Sequence, residues 1–231
     1  MDKRQYYDDS DVARDYVETR YAGAGGQYVN ARETSIAIDL LPDSGHVLDL
    51  PTGVGRLVGA LRVGGLSVTG ADYSLPMLHV AQQLDYPAVR ADAFRLPFAD
   101  NCFDALVSIR FVFHYADPLA FFAEAYRVLR PGGVLVFDTY NWSPFMIPGV
   151  PFRWGGSVFI FRQRQLRQWA DTSGFEVGDT TRAFLCSPVV YRHLPAPGVK
   201  VFDWLERRLP AAIRNVCFWQ WVSRKPSDEG T

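Results

Sequence analysis

The stretch VLDLPTGVGRL, residues 47–57, is the part of the chain that most directly predicts the fold. A short apolar run ends there in Asp49 and is followed at once by a loop with glycines at positions 53 and 55. Glycine lets a backbone approach a ligand where any Cβ atom would collide, and the free amides at the start of a helix face the same ligand. The stretch therefore predicts a strand, a ligand-binding loop and a helix, in that order.

Strands and helices alternate on the C-terminal side of this stretch. Strands are predicted over residues 46–50, 66–71, 88–91, 103–109, 134–139, 175–182 and 216–223. Helices are predicted over residues 11–21, 28–41, 55–63, 74–84, 118–129, 163–173 and 199–209, the last with Val201, Phe202, Leu205 and Leu209 on one side. We expect a flexible break at residues 23–26, a turn at 130–133 and irregular chain over 140–161 and 183–198. Strands joined by helical crossovers predict a doubly wound, mostly parallel α/β sheet with helices on both faces.

Composition and charge exclude several classes of protein. Hydrophobic residues make up 48% and charged residues 21% of the 231, which excludes disorder for most of the chain. A net charge of -1 provides no global field for nucleic acid or an anionic membrane. Cys102, Cys186 and Cys217 lie too far apart in the sequence to suggest a zinc site or a disulfide framework. With no apolar leader or membrane-length apolar run, we expect a soluble, cytoplasmic protein.

Three acidic residues are predicted to lie at successive strand ends. Asp49 ends the first strand, Asp72 ends the second about twenty residues on, and Asp92 follows the third. The ligand crevice of an open α/β sheet lies at the carboxyl ends of its strands. Asp72 is thus placed to accept hydrogen bonds from both ribose hydroxyls of an adenosine, and Asp92 to meet the adenine edge.

A nicotinamide cofactor is one adenosine-containing ligand that suits this pattern. The spacing Gly53-x-Gly55-x-x-x-Gly59 fits it, with Asp72 again binding the ribose. The sequence lacks the Tyr-x-x-x-Lys pair that would supply a catalytic partner in an NAD(P)-dependent oxidoreductase, because none of its three lysines follows a tyrosine at that spacing. This makes an oxidoreductase the weaker alternative. A cofactor-binding scaffold without catalysis is the other alternative.

Four motifs, in order and in register, carry a resemblance to a known family. They are VLDLPTGVGRL (47–57), VTGADYSLPMLHVA (68–81), RADAFRLPFADNCFD (90–104) and RVLRPGGVLVFDT (127–139). Together they resemble the class I S-adenosylmethionine-dependent methyltransferases, and most closely the small-molecule branch that includes the quinone-biosynthesis enzymes. The resemblance implies a Rossmann-like seven-stranded sheet in one domain over residues 1–231, with a helical cover at 1–42 and a cofactor-binding core at 46–139. The sequence departs from the family pattern at Pro51, where Gly or Ala is usual.

The resemblance also implies a binding role for individual residues. S-adenosyl-L-methionine, with S-adenosyl-L-homocysteine as its product, would be held by its methionine part at Asp49 and the backbone of Thr52, Gly53 and Gly55. Asp72 would bind the ribose, and Asp92 the adenine amino group. The remaining expected contacts are Tyr73 and Met77 against the adenine, Ala93 and Phe94 beside it, and Ser108 under the methionine moiety.

Catalysis by such an enzyme is an in-line displacement that needs a base only when the acceptor is protonated. His114 is our first candidate for that base, with Tyr28 and Tyr140 as further candidates. Arg110, Tyr115 and Asn141 are expected on the same acceptor side. A Mg²⁺ site at Asp138 and Asn141 would have only two oxygen ligands, so no metal is predicted.

The acceptor pocket is expected under two cap segments, residues 140–162 and 183–212. The aromatic residues expected to build it are Trp142, Phe145, Phe152, Trp154, Phe159, Phe184 and Tyr191. They predict a small, partly apolar or aromatic acceptor, methylated on O, N or C. The arginines at 153, 162, 164 and 167 are interpreted as a solvated face rather than a phosphate or nucleic-acid site. The protein is expected to act as a monomer or homodimer.

Overall fold

The computed structural model describes residues 7–141 and 158–226, which contain a seven-stranded sheet. The strands are β1 (Gly45–Asp49), β2 (Leu66–Asp72), β3 (Ala88–Arg90), β4 (Phe103–Ser108), β5 (Leu129–Tyr140), β6 (Phe175–Ala183) and β7 (Val216–Ser223). The helices are α1 (Ser10–Arg14), α2 (Tyr16–Tyr21), α3 (Ala24–Asp39), α4 (Val58–Val63), α5 (Leu75–Ala81), α6 (Leu119–Val128), α7 (Gln163–Thr172), α8 (Pro188–Arg192) and α9 (Ala196–Arg208). Short 3₁₀ turns cover Gln82–Leu84, Val112–His114 and Ala211–Ile213.

The sheet has the strand order β3-β2-β1-β4-β5-β7-β6. Neighbouring strands from β3 to β5 are parallel, whereas β7 pairs antiparallel with both β5 and β6. The predicted seven-stranded, mostly parallel fold is therefore confirmed. The chain order runs outward in one direction from β1 to β3 and in the other from β4 to β5. This arrangement creates a topological switch point between β1 and β4, where open α/β sheets bind their ligands.

Both faces of the sheet are covered by helices, because its central strands are apolar on both sides. In β5, Leu135 and Phe137 belong to a core cluster that contains residues of α6 and α7. Val136 between them belongs to the opposite cluster, which contains residues of α3, α4 and α8. Side chains that alternate between two packed cores account for the near-continuous apolar run of β5.

The cover helix α3 begins earlier than predicted, so the expected flexible break at residues 23–26 is wrong. Gly25 and Gly26 are buried in its first turn. A Cβ atom on Gly25 would lie 1.8 Å from the carbonyl oxygen of Tyr191, and one on Gly26 would lie 2.5 Å from that of Arg20. These glycines serve close helix packing against α8 and α2 rather than flexibility.

Three further predictions needed correction. Residues 130–133 are part of β5, with a register shift opposite Phe103 and Ala105, rather than a separate turn. The segment 183–198 contains α8 and the start of α9, because Ser187 caps α8 by accepting a hydrogen bond from the amide of Val189. On α9, Val201 is 55% exposed, and the buried residues are instead Val199 and Glu206. Because Glu206 is buried, the face of α9 that packs inward differs from the face predicted from its apolar residues.

Candidate functional site

A cavity of about 340 Å³ opens at the carboxyl ends of the parallel strands, around the switch point. Its volume lies in the range of small-molecule sites. One part is lined by residues that follow β1, β2 and β3, and another by residues that follow β4 and β5. Residues of α2 and α8 also line it, so segments far apart in the chain complete the wall.

Asp49 and Thr52 form the floor of the cavity after β1. The Thr52 hydroxyl donates a hydrogen bond to Asp49 at 2.8 Å and lies 2.8 Å from the hydroxyl of Tyr86. Asp49 is only 2% exposed, and this burial raises the pKa of its carboxyl to about 7 despite the Thr52 hydrogen bond and the nearby Arg56. A buried carboxyl of this kind is poised to ionise when a cation arrives.

Gly53 and Asp72 link the first loop to the end of β2. The amide of Gly53 donates to one oxygen of Asp72 at 2.8 Å, and the amide of Ser74 donates to the other at 2.9 Å. Gly53 has φ +56°, with open space within 4 Å of the position a Cβ would take. Burial raises the pKa of Asp72, while these amide hydrogen bonds act in the opposite direction. The loop thus holds a carboxylate rigidly at the cavity wall.

The expected adenine-side residues come together on the same wall. Tyr73, Met77, Asp92, Ala93 and Phe94 all line the cavity. Asp92 accepts a hydrogen bond from the amide of Phe94 at 3.0 Å, which fixes the carboxylate beside the ring. Pro51, the departure from the family pattern, lines the cavity too.

Two expected cofactor contacts do not reach the cavity. Gly55 has φ +77°, a Cβ there would lie 2.6 Å from a methyl group of Leu84, and the residue is outside the cavity lining. Ser108 is fully buried at the end of β4, and its hydroxyl has no hydrogen-bond partner among residues 7–141 and 158–226. Both residues support the site from behind its surface.

The catalytic candidates separate into two groups. His114 and Tyr140 line the cavity, and each ring packs on Phe113, with centroid distances of 4.5 Å and 4.7 Å. Burial raises the pKa of Tyr140, while Arg110 and Ser187 act in the opposite direction. Tyr28 lies outside the cavity lining: its hydroxyl donates to Asp203 at 2.9 Å. The structure therefore does not bring Tyr28 together with His114 and Tyr140 at the cavity.

Arginines at the cavity are the main feature that the sequence did not predict. Arg20, Arg56, Arg110 and Arg192 all line it, and only Arg110 was expected there. Glu33 of α3, 1% exposed, accepts two hydrogen bonds of 3.0 Å from Nε of Arg110 and lies 3.3 Å from Nη2 of Arg56. The missed signal was Glu33 itself, a charged residue in helical register with the buried Val29 and Ile36.

The cap prediction is only partly supported. Trp142, Phe145, Phe152, Arg153 and Trp154 lie outside the described residues. Val158, Ile160, Ser187 and Val189 line the cavity, but Phe184 and Tyr191 are fully buried in the core cluster under α3. Phe159 packs against the core on the other face. The C-terminal cap segment thus contributes α8 to the wall, while its aromatic residues stabilise the core.

The two side chains of the Mg²⁺ alternative do not form a ligand pair. Asp138 accepts a hydrogen bond of 2.6 Å from the amide of Arg110, and Asn141 donates to the carbonyl of Arg214 at 3.2 Å. Within the described ranges no group of three or more His, Cys, Asp or Glu side chains is arranged to hold a metal ion. In the same ranges no helix is both long and apolar enough to cross a membrane.

Comparison with known proteins gives consistent matches. A family described as "Methyltransferase domain" matches residues 48–137. A demethylmenaquinone methyltransferase of Mycobacterium sp. (strain KMS) is 31% identical over 159 residues, which cover 62% of this chain and 68% of that protein. A 2-methyl-6-phytyl-1,4-hydroquinone methyltransferase of Synechocystis sp. is 29% identical over 95% of this chain and 66% of its own length.

A solved structure extends the similarity of fold along the whole chain. Phosphoethanolamine N-methyltransferase 2 of Haemonchus contortus, in complex with S-adenosyl-L-methionine, superposes with a TM-score of 0.69 at 19% identity. The match covers 97% of this chain and 60% of that one. At this identity the match establishes the fold, and the comparisons give no support to the nicotinamide alternative.

Proposed function

The chain belongs to the class I S-adenosylmethionine-dependent methyltransferases, and from this premise we propose that it methylates a small aromatic acceptor of the hydroquinone type. The observation that carries the proposal is a single cavity with two chemically different walls. Asp49, Asp72 and Asp92 line one, and the aromatic rings that follow β4 and β5 line the other. The names of the two quinone-pathway relatives support the acceptor class.

The residues after β1, β2 and β3 fit the cofactor chemically. We assign Asp49 and the open backbone at Gly53 to its charged methionine part, Asp72 to the ribose and Asp92 to the adenine. Ionised carboxylates accept the strongest hydrogen bonds from ammonium and hydroxyl groups. When bound, the cofactor supplies an activated methyl group on a sulfonium sulfur.

The other wall would hold and orient the acceptor ring. Phe111 and Tyr115, which follow β4, pack on each other with ring centroids 4.9 Å apart. Phe113 connects Tyr140 to His114 farther along the wall. Flat rings exclude water and restrict an aromatic acceptor to a few orientations, which is the main requirement of a displacement reaction.

We assign His114 as the base that accepts the proton of the acceptor hydroxyl. Histidine is the side chain best suited to accept a proton near neutral pH. Tyr140 is assigned to positioning the acceptor hydroxyl, because burial keeps its own proton in place. His114 would accept the proton that the acceptor hydroxyl releases when it is methylated.

We further propose that the whole chain, residues 1–231, works as one cytoplasmic methyltransferase domain, as a monomer or homodimer. The helices over residues 10–39 cover the sheet, and α2 contributes Arg20 to the cavity wall. A cover that completes the site supports a single functional unit. The separated cysteines, two of them buried, suit a reducing compartment.

The test combines cofactor binding with a methyl-transfer assay on simple hydroquinones. We expect S-adenosylhomocysteine to bind and methylated hydroquinone to form. His114→Gln should lower the rate by about 10²-fold or more, the usual effect of losing a general base, without changing cofactor affinity. The exposed His79 provides the matched control, His79→Gln, which should keep the full rate. Cofactor binding without product from any hydroquinone would contradict the proposed acceptor class.

A further inference from the structure

Among the arginines that line the cavity, Arg192 has the least charge compensation from other described residues. It ends α8, lines the cavity, and its buried Nε atom has no hydrogen-bond partner among the described residues. No carboxylate of the described ranges lies within 4.0 Å of its guanidinium. A buried guanidinium is normally paired, because its desolvation is costly.

Glu33 does not pair with Arg192, since it already pairs with two other arginines. Both oxygens of Glu33 accept from Arg110, and Arg56 approaches one of them. Arg20, the fourth arginine of the wall, packs on the rings of Tyr16 and Tyr7, at 4.7 Å and 5.9 Å from their centroids. Burial, together with Arg110 and Arg20, lowers the pKa of Arg192. Glu33 and Asp138 are the acids beside these arginines, and neither lies within 4.0 Å of the Arg192 guanidinium.

The position of Arg192 associates it with the acceptor rather than with the donor. Its electrostatic neighbours are Arg110, which follows β4, Tyr140, which ends β5, and Arg20 and Tyr21 of α2. Ser187, which caps the same short helix, also lines the cavity and lowers the pKa of Tyr140. The acids assigned to the cofactor follow β1, β2 and β3, on the other side of the switch point. An anion bound at Arg192 would thus lie beside the proposed acceptor hydroxyl position.

We propose that Arg192, flanked by Arg20, binds a carboxylate carried by the acceptor, so that the preferred substrate is a hydroquinone with a carboxylate on its ring. This inference rests on the proposed methylation of an aromatic ring and narrows its substrate class. A guanidinium matches a carboxylate with two parallel hydrogen bonds. Burial strengthens that pairing, because little water competes for either partner.

The experiment compares two ring-matched ligands by calorimetry on protein saturated with S-adenosylhomocysteine. One is a dihydroxybenzoate, and the other is the hydroquinone that has a methyl group in place of its carboxylate. We expect the carboxylate to bind at least about tenfold more tightly, the range for a hydrogen bond to a charged group. Arg192→Gln should abolish this preference, and Arg192→Lys should keep part of it, because it retains the charge.

Arg164→Gln is the matched control, since Arg164 is an exposed arginine of α7 outside the cavity lining. It should leave the carboxylate preference unchanged. Equal affinity for the two ligands, or no binding of either at millimolar concentration, would overturn the anion site. Weaker S-adenosylhomocysteine binding by Arg192→Gln would overturn it as well, by assigning Arg192 to the carboxylate of the donor. If the unsubstituted protein failed to bind S-adenosylhomocysteine, the proposed function itself would fail.

Discussion

The two sides of the cavity are built in opposite ways. On the β1–β3 side, acids stand at strand ends and are held by amides of the same loops, as Asp72 is by Gly53 and Ser74. On the β4–β5 side, arginines are compensated by an acid from a distant helix, as Arg110 is by Glu33, 77 residues away. The first arrangement needs only short local segments, whereas the second exists only when the cover helices are in place.

This difference indicates which parts of the site can vary independently. A donor-binding loop that satisfies its own carboxylates can remain intact while the other wall changes. The acceptor wall depends on contacts between α2, α3, α8 and the end of β4, so one substitution there affects several residues.

The strongest test of the comparison removes the acid shared by the two arginines. Glu33→Gln removes the carboxylate that pairs with the guanidinium groups of both Arg110 and Arg56, so unfolding should become easier by about 3–5 kcal/mol. Chemical denaturation measures the effect, with the exposed Glu176→Gln as the matched control. A loss as small as that of the control would mean that the acceptor wall does not depend on α3.

Removal of Asp72 tests the donor side. Asp72→Ala should weaken S-adenosylhomocysteine binding by about 1–3 kcal/mol, the cost of losing hydrogen bonds to a charged acceptor. Calorimetric titration gives the affinity, and Asp179→Ala, on the exposed part of β6, is the control. An unchanged affinity in Asp72→Ala would exclude the ribose assignment.

The pH dependence of cofactor binding isolates Asp49. A cationic ligand selects its ionised form, and with the pKa of Asp49 near 7 that form becomes the major one as pH rises through 7. Affinity should therefore increase about tenfold between pH 6 and pH 8. Asp49→Asn should remove the dependence.

Asp138→Asn is the control for the pH experiment. Burial also raises the pKa of Asp138 to about 7, but Asp138 accepts from Arg110 and does not line the cavity. This variant should keep the pH dependence of cofactor binding. Loss of the dependence in Asp138→Asn would mean that the two sides of the cavity are electrostatically coupled.

The smallest effect is expected for Tyr28, which lies behind the acceptor wall. Tyr28→Phe loses the hydrogen bond to Asp203 and should reduce stability by about 0.5–1.5 kcal/mol. Thermal unfolding measures this loss, and the methyl-transfer rate should not change. Tyr140→Phe, in contrast, should slow the reaction. A rate loss in Tyr28→Phe comparable to that of Tyr140→Phe would restore Tyr28 as a catalytic candidate.

The sheet and the acids that line one side of the cavity could be predicted from the sequence alone. Strand ends, the Gly53 turn and the acids at positions 49, 72 and 92 are encoded within short segments, because parallel strands place their carboxyl ends at one edge. The positions of several other predicted residues depend on how distant segments pack. Gly55 and Ser108 fall behind the surface, Tyr28 turns toward Asp203, and Phe184 and Tyr191 enter the core.

The four arginines that line the cavity could not be predicted from the sequence either. Arg20, Arg56, Arg110 and Arg192 have no common spacing in the chain, and nothing local distinguishes them from surface arginines such as Arg164. Their burial follows from how α2, α3 and α8 pack over the ends of β1 and β4. Charge compensation between distant segments is a property of the folded molecule, so no short stretch of sequence reveals it.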